Sequence, residues 1–273
     1  MNLVDIAVNL TSPAFDQDRT EVLARARAAG VTALVITGST LEDSTKAIGL
    51  AQDNDGCAAT AGVHPHNAKG WHAESSPELL RKLALRETPT GDRGKVVAIG
   101  ECGLDYNRNF SPQDAQRKCF EDQLVLAAQL GKPVFLHERD AFDDFLPILK
   151  RHMADLPGAV VHCFTGGQRE LEAYLALGCH IGITGWVCDE RRGTHLIPLV
   201  RQIPANRLLL ETDAPYLLPR NLPKALRGKS WRNEPSFLPH IAAFVAEIMG
   251  KTVEQLAAET SANAARVFNL TLN

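Results

Sequence analysis

Residues 111–138 are SPQDAQRKCFEDQLVLAAQLGKPVFLHE, a helical pattern followed at once by a short apolar run. The pattern predicts a helix over residues 112–130, with Ser111 as its N-cap and a proline in its first turn. Gly131 stands where that helix should stop, and the run 133–137 follows directly. A strand this short and apolar is typical of a parallel sheet that is covered on both faces.

The same alternation of helix and strand extends along the whole chain. Eight short apolar runs are predicted as strands, over residues 4–10, 33–37, 57–63, 95–100, 133–137, 159–162, 180–184 and 207–211. Helical patterns lie between them, over residues 16–29, 41–52, 77–85, 112–130, 143–152, 168–177 and 191–202. Strict alternation predicts an α/β fold with a parallel sheet, and eight strands suit a closed (β/α)₈ TIM barrel. Periodicity alone leaves a doubly wound open sheet as the alternative.

A proline- and glycine-rich loop, residues 214–235, follows the last predicted strand, and helices are predicted over 236–249 and 253–268. No repeat or linker interrupts the chain, so one domain over residues 1–273 is predicted. The loop carries a local basic excess and one tryptophan, from Arg220, Lys224, Arg227, Lys229, Trp231 and Arg232. Phosphate contacts beside a stacking aromatic suit single-stranded nucleic acid, although a solvated basic loop explains the same residues.

The composition is that of an ordinary globular protein, with 45% hydrophobic residues, 22% charged residues and a net charge of −3. This charge argues against a protein that coats nucleic acid by electrostatics alone. No window approaches the roughly 20 apolar residues of a membrane span, and the N-terminus has no basic region. The six cysteines include no CxxC pair, which favours reduced thiols. We therefore expect a soluble, cytoplasmic protein.

Side chains that can bind a metal stand at the ends of five predicted strands. Active residues of a parallel barrel lie at the carboxyl ends of its strands, where the loops converge. The side chains are His64 and His66 after strand three, Glu101 at strand four, His137 at strand five, His162 at strand six and Asp213 at strand eight. One histidine after an apolar run is more often structural, but that explanation must hold separately at each strand. A shared metal or catalytic site is therefore predicted.

The predicted metal ligands are Glu101, His137, His162 and Asp213. Imidazoles with carboxylates match Zn²⁺ or Mn²⁺, and a carboxylate-rich site with open water positions also admits Mg²⁺. Such an ion polarises a phosphoryl or carbonyl oxygen and activates a water, whose proton Asp213 is predicted to accept. Glu101, the second predicted catalytic residue, can bridge two ions if two bind. Arg139 is predicted to contact a phosphate oxygen, and a solvent-exposed arginine is equally consistent with its position.

Five strand-end motifs occur in the order found in the TatD family of metal-dependent deoxyribonucleases, within the amidohydrolase-like barrels. The motifs are GVHPH at 62–66, IGECGLD at 99–105, HERDA at 137–141, HCFTG at 162–166 and ETDAPYL at 211–217. The chain resembles this family over nearly its whole length. The resemblance implies Mg²⁺-dependent 3′-to-5′ exonuclease activity on single-stranded DNA or RNA and a role in DNA repair. It also implies the four ligands named above, and a contact of His64 with the scissile phosphate.

One departure from the family pattern concerns the metal. Most members have Asp-x-His-x-His at the end of strand one, and this chain has Ala7 and Asn9 at the two histidine positions. Alanine cannot bind a metal, and an asparagine amide is a weaker Zn²⁺ ligand than imidazole. The departure disfavours a tightly held two-zinc site and favours Mg²⁺, which needs few protein ligands. Asn9 is then a predicted substrate-binding residue, together with His64, His66 and Arg139.

Two other functions remain open from the sequence. One is metal-dependent hydrolysis of a carbonyl ester, such as deacylation of a D-aminoacyl-tRNA. Glu101 stands where ring-opening relatives use a carbamylated lysine, which argues against ring amides but leaves ester cleavage open. The other is a non-catalytic metal- or nucleic-acid-binding protein whose site is eroded at Ala7 and Asn9. The four later ligands argue against it. We expect a monomer that acts on 3′ ends of single strands, without a membrane partner.

Overall fold

The computed structural model describes residues 2–86, 94–227 and 231–272, and within them eight strands form one parallel sheet. The strands are β1 (Leu3–Val8), β2 (Val31–Ile36), β3 (Cys57–Ala61), β4 (Val96–Asp105), β5 (Val134–Arg139), β6 (Ala159–Val161), β7 (His180–Ile183) and β8 (Leu208–Leu210). Each strand pairs with the next one along the chain. All eight predicted strands are therefore confirmed.

The sheet closes on itself just beyond the end of β8. Val8 and Ala214 form a parallel bridge. The backbone N–H of Asp213 donates to the carbonyl of Ala7 at 2.9 Å, and that of Asn9 donates to the carbonyl of Ala214 at 2.8 Å. These contacts make a (β/α)₈ barrel, so the open-sheet alternative is wrong. They also bring the residues after β1 and β8 side by side at one end of the barrel.

Two buried clusters occupy the two faces of the sheet. Strand side chains alternate between faces, so neighbours such as Leu34 and Val35, or Phe135 and Leu136, belong to different clusters. The smaller cluster includes Val35 and Phe135 and reaches Phe268 near the C-terminus. It fills the barrel, whereas the larger cluster lies between the barrel and the helices. Burial on both faces explains why the strands are mainly apolar.

Ten α-helices lie in the described residues. They are α1 (Arg19–Ala28), α2 (Leu41–Asp53), α3 (Ser76–Ala84), α4 (Gln113–Leu130), α5 (Phe142–His152), α6 (Gln168–Ala176), α7 (Leu196–Val200), α8 (Lys224–Arg227), α9 (Leu238–Met249) and α10 (Val253–Phe268). Of these helices, none has the length and apolarity to cross a membrane. The short helix α8 lies inside the basic loop and is absent from the sequence prediction.

The start of α4 differs from its prediction. The Ser111 hydroxyl does not cap the helix, because it donates to the carbonyl of His66 at 2.8 Å and accepts from the N–H of Lys69 at 3.0 Å. Pro112 therefore occupies the N-cap position. The end of the helix is as predicted, since Gly131 adopts the left-handed conformation with φ of 59°. Ser111 instead ties the start of α4 to the segment that carries His66.

The helix predicted over residues 191–202 is shorter in the structure, where α7 has only five residues. The Asp189 carboxylate accepts hydrogen bonds from the N–H of Arg191 and from the Arg192 side chain, at 2.9 and 3.0 Å. The N–H of Gly193 also donates to the carbonyl of Asp189. These bonds hold the segment as a turn, which competes with the helix that the residue pattern favours.

Ion pairs fix the last part of the basic loop to α1. Arg232 lies 2.7 Å from both Asp18 and Glu234, and Arg25 pairs with the same two carboxylates at 2.9 and 2.8 Å. Four interlocked charges hold this part of the loop more firmly than one exposed pair would. Arg232 therefore stabilises the fold, and its contact with phosphate stays a prediction. Lys229, which belongs to the same prediction, lies outside the described residues.

Candidate metal centre

Glu101 stands at the centre of the predicted site. Its Oε1 atom lies 2.9 Å from His137 Nδ1, 2.9 Å from His162 Nε2 and 3.3 Å from His64 Nε2. Glu101 belongs to β4 and His137 to β5, while His162 directly follows β6 and His64 follows β3. Three imidazoles, from the ends of β3, β5 and β6, therefore meet a single carboxylate oxygen of β4.

The close pairing of β4 with β5 depends on Gly103. This residue has φ of 144°, and a Cβ atom there would collide with the carbonyl oxygen of His137. Because strand residues alternate, Glu101 and Asp105 lie on the same face of β4. Asp105 Oδ2 lies 2.7 Å from His66 Nε2 and 3.4 Å from His137 Nε2. Asp105 is absent from the predicted site residues, although its spacing of four from Glu101 could have indicated it.

The charges of the cluster compensate one another. Burial alone would raise the pKa of Glu101, but His64, His162 and His137 together hold that pKa well below its usual range. Burial disfavours a charged His137 or His162, yet their carboxylate neighbours raise the pKa of both rings. Burial lowers the pKa of His64 to about 4. The buried negative charge of Glu101 therefore favours positive charge on His137 and His162, while His64 is held as a neutral imidazole.

A second buried carboxylate, Glu211, supports His162 from behind. Glu211 is fully buried, its Oε2 lies 3.4 Å from His162 Nδ1, and its Oε1 accepts from the N–H of Cys163. Gly182 leaves room for it, because a Cβ atom there would lie 2.7 Å from Glu211 Oε1. A carboxylate behind a ligating histidine fixes the ring and raises its basicity. Glu211 is also absent from the predicted site, although it stands two residues before Asp213.

We expect Glu211→Gln to weaken the binding of a divalent metal about 10- to 100-fold, because the neutral amide no longer favours the ligating form of His162. Calorimetric titration with Mn²⁺ measures this change, and excess Mn²⁺ should restore much of the activity. Glu170→Gln is the matched control, since Glu170 accepts from the N–H of Gly167 at the start of α6. Equal Mn²⁺ affinities in the two variants would contradict a positioning role for Glu211.

Asp213 follows β8 and faces the same pocket. Its Oδ1 accepts a hydrogen bond from Asn9 Nδ2 at 2.8 Å. Desolvation in the pocket raises the pKa of Asp213 to about 7, and the Coulombic effect of His162 opposes this rise. Ala7 is fully buried in β1 and contributes only its carbonyl, which accepts from the N–H of Asp213. The end of β1 therefore orients Asp213 through the Ala7 carbonyl and the Asn9 amide.

A cavity of about 570 Å³ opens over these side chains. Its lining includes all eight predicted site residues, Asn9, His64, His66, Glu101, His137, Arg139, His162 and Asp213. Within the described part of the chain, the ligating atoms of His64, Glu101 and His137 lie within 4.8 Å of one another. Imidazole nitrogens and carboxylate oxygens are the donors that divalent metals use in proteins. The donor set fits such an ion, and it includes His64, which is predicted only as a substrate contact.

The sequence of the chain matches a known protein family and several of its members. The model of the family described as TatD related DNase matches residues 4–269. The chain belongs to this family. It is 55% identical over 266 residues to the 3′-5′ ssDNA/RNA exonuclease TatD of Cronobacter sakazakii, which covers 97% of both chains. It is 52% identical over 272 residues to the exonuclease of the same name from Klebsiella pneumoniae, with 99% of both chains covered.

Solved structures agree with the family assignment. A TatD homologue from Escherichia coli matches with a TM-score of 0.87 at 28% identity, over 98% of each chain. A phosphotriesterase homology protein from the same organism, with phosphate in its active site, matches with a TM-score of 0.68 over 98% of each chain. At 13% identity the second likeness supports the fold alone. As a TatD-family protein the chain is a nuclease, and its family and fold imply a divalent metal.

Proposed function

We propose that this TatD-family nuclease is a Mg²⁺-dependent exonuclease that removes nucleotides from the 3′ ends of single-stranded DNA, and also of RNA. One observation carries the proposal. Three imidazoles converge on Glu101 in a cavity that also contains Asp213. The curated relatives, named as 3′-5′ ssDNA/RNA exonucleases, support the substrate and the direction of cleavage.

Glu101, His137, His162 and Asp213 would hold the ion. When bound, a divalent ion polarises a phosphoryl oxygen and lowers the pKa of a water molecule. Asn9 stands where an additional imidazole would favour Zn²⁺, and it donates to Asp213 instead. A site with fewer nitrogen donors suits Mg²⁺, which retains several of its waters. These features support Mg²⁺ as the ion used by this chain.

The side chains around the metal centre have two further roles, proton transfer and substrate binding. Asp213 accepts the proton of the attacking water, and the amide of Asn9 holds its carboxylate in place. His66 and Arg139 line the same cavity and can donate hydrogen bonds to phosphate oxygens, and His64, whose Nδ1 accepts from the N–H of His66, lies beside them. His66 is oriented for this task by the Asp105 carboxylate. Substrate binding and proton transfer therefore come from different edges of one cavity.

Two exposed aromatic side chains at the site support a single-stranded substrate. Tyr216 is 58% exposed and lines the cavity. Phe110 is 57% exposed and packs edge-on against His66, with ring centroids 4.7 Å apart. Unpaired bases stack on such rings, whereas a duplex keeps its bases stacked on one another. All six cysteines are free thiols, which supports a reducing, cytoplasmic location.

The test uses single strands labelled at either the 3′ or the 5′ end. With Mg²⁺, we expect the 3′ label to appear at once in mononucleotides, while the 5′-labelled strand shortens stepwise. EDTA should stop both reactions, and added Mg²⁺ should restore them. Release of the 5′ label first would contradict the direction, and restoration by Zn²⁺ alone would contradict the metal. Hydrolysis of aminoacyl esters without cleavage of any polymer would favour the deacylase alternative.

A further inference from the structure

Two additional cavities adjoin the metal cavity, and they differ in charge. Both share the lining residues Trp186 and Arg192 with it. The first, of about 480 Å³, is lined among the described residues by five basic side chains and one carboxylate, Arg191, Arg192, Arg220, Lys224, Arg227 and Asp189. The second, of about 710 Å³, is lined by five carboxylates and three arginines. A polyanion that leaves the metal cavity therefore meets one attractive route and one repulsive route.

The basic cavity contains two pairs of stacked aromatic and guanidinium groups. At its inner end, the guanidinium carbon of Arg192 lies 4.3 Å from the ring centroid of Trp186. Trp231, which also lines this cavity, has the guanidinium carbon of Arg227 3.8 Å from its own ring centroid. Trp231 is 75% exposed, so the ring also offers surface to a ligand. Such pairs place a stacking surface beside a positive charge, which suits successive nucleotides.

The arginines of the basic cavity keep positive charge available. Arg191, Arg192 and Arg220 all pair with the single carboxylate of Asp189, at 3.4, 3.0 and 3.7 Å. Arg220 also pairs with Glu190 at 3.3 Å, so two carboxylates face three guanidinium groups and cannot neutralise all of them. The first two side chains are each 57% exposed, so their remaining N–H groups can reach phosphate oxygens. Asp189 therefore arranges this surface without cancelling its charge.

We propose that the basic cavity is the binding track for the part of the strand 5′ to the scissile phosphate. This inference rests on the proposed exonuclease function, in which everything except the terminal nucleotide must lie on one side of the metal centre. Backbone phosphates lie along the arginines, and a base stacks on Trp231. The acidic cavity is closed to the strand by repulsion. The track explains how a protein with a net charge of −3 holds a long polyanion.

The test compares Trp231→Ala with the wild type on a dinucleotide and on a strand of about 15 nucleotides. The quantity to compare is kcat/KM for the long strand divided by kcat/KM for the dinucleotide. Loss of one base–aromatic stack should lower this ratio about tenfold, mainly because KM for the long strand rises. Trp231→Phe should keep most of this ratio, because a phenyl ring still stacks. Arg169→Ala, which removes a cation from the acidic cavity, is the matched control and should keep the wild-type ratio.

Binding of a fluorescent strand in EDTA, followed by anisotropy, separates this inference from the exonuclease proposal. We expect the affinity to fall about tenfold in Trp231→Ala. In Lys224→Ala, the slope of log affinity against log salt should become smaller by about 0.7, the value for one phosphate contact on a single strand. Unchanged affinity and unchanged length dependence in Trp231→Ala would overturn the track. Tight, tryptophan-dependent binding in EDTA, together with no cleavage by the wild type when Mg²⁺ is added, would instead overturn the exonuclease proposal.

Discussion

Glu101→Gln is expected to lower the exonuclease rate about 10³-fold or more, with a fold that stays intact. The glutamine side chain keeps the volume of glutamate but lacks the negative charge toward which His137, His162 and His64 converge. Without that charge the site loses both a ligand and its preference for a cation. Loss of roughly 4 kcal/mol of electrostatic stabilisation in the transition state corresponds to this factor.

The measurement is single-turnover hydrolysis of a 3′-labelled strand at saturating Mg²⁺. Glu247→Gln is the control, because Glu247 is exposed on α9 and belongs to none of the cavities described above. Circular dichroism and the thermal midpoint should be alike in the two variants. A Glu101→Gln protein that retains more than about a tenth of the wild-type rate would remove Glu101 from the centre of the mechanism.

Asp213→Asn is expected to lower the rate about 10²- to 10⁴-fold, the usual contribution of a general base. Asparagine suits this position structurally, because residue 213 has φ of 53° and asparagine tolerates the left-handed region. The amide can still meet the side chain of Asn9, but it cannot accept a proton from water. The variant should therefore fold normally and fail in proton transfer.

The expected difference between the two variants lies in metal affinity. In Asp213→Asn the imidazole cluster around Glu101 remains, so Mn²⁺ affinity should fall much less than in Glu101→Gln. Calorimetric titration and single-turnover rates, measured on the same preparations, give both quantities. A rate within about fivefold of the wild type in Asp213→Asn would show that another group accepts the proton.

The strands were predictable because each contains a short run that is buried on both faces and is therefore mainly apolar. Closure of the barrel was not predictable from periodicity. It depends on contacts between residues about 200 positions apart, such as Val8 with Ala214 and Asp213 with Ala7. The sequence prediction also ended β4 too early, at residue 100. In the structure Gly103 allows that strand to continue alongside β5 as far as Asp105.

The residues at the strand ends were predictable from a rule of architecture, since parallel barrels bring those ends together. Their mutual contacts were not, because the sequence says nothing about distances between side chains on different strands. Asp105 and Glu211 contact the imidazoles from behind, and only the geometry separates such residues from other buried carboxylates. The same is true of Trp186, which joins three cavities. The residues next to Trp186 in the sequence do not indicate that its side chain lines these cavities.

The most direct test of the metal centre is an anomalous difference map from crystals soaked in Mn²⁺. We predict a strong peak beside Glu101 Oε1, in contact with His137 and His162 and within reach of Asp213. Parallel crystals of Glu101→Gln should lose this peak under the same soak. A strong peak elsewhere in the protein, or an empty Glu101 cluster at saturating Mn²⁺, would contradict the assignment of these side chains as the metal centre.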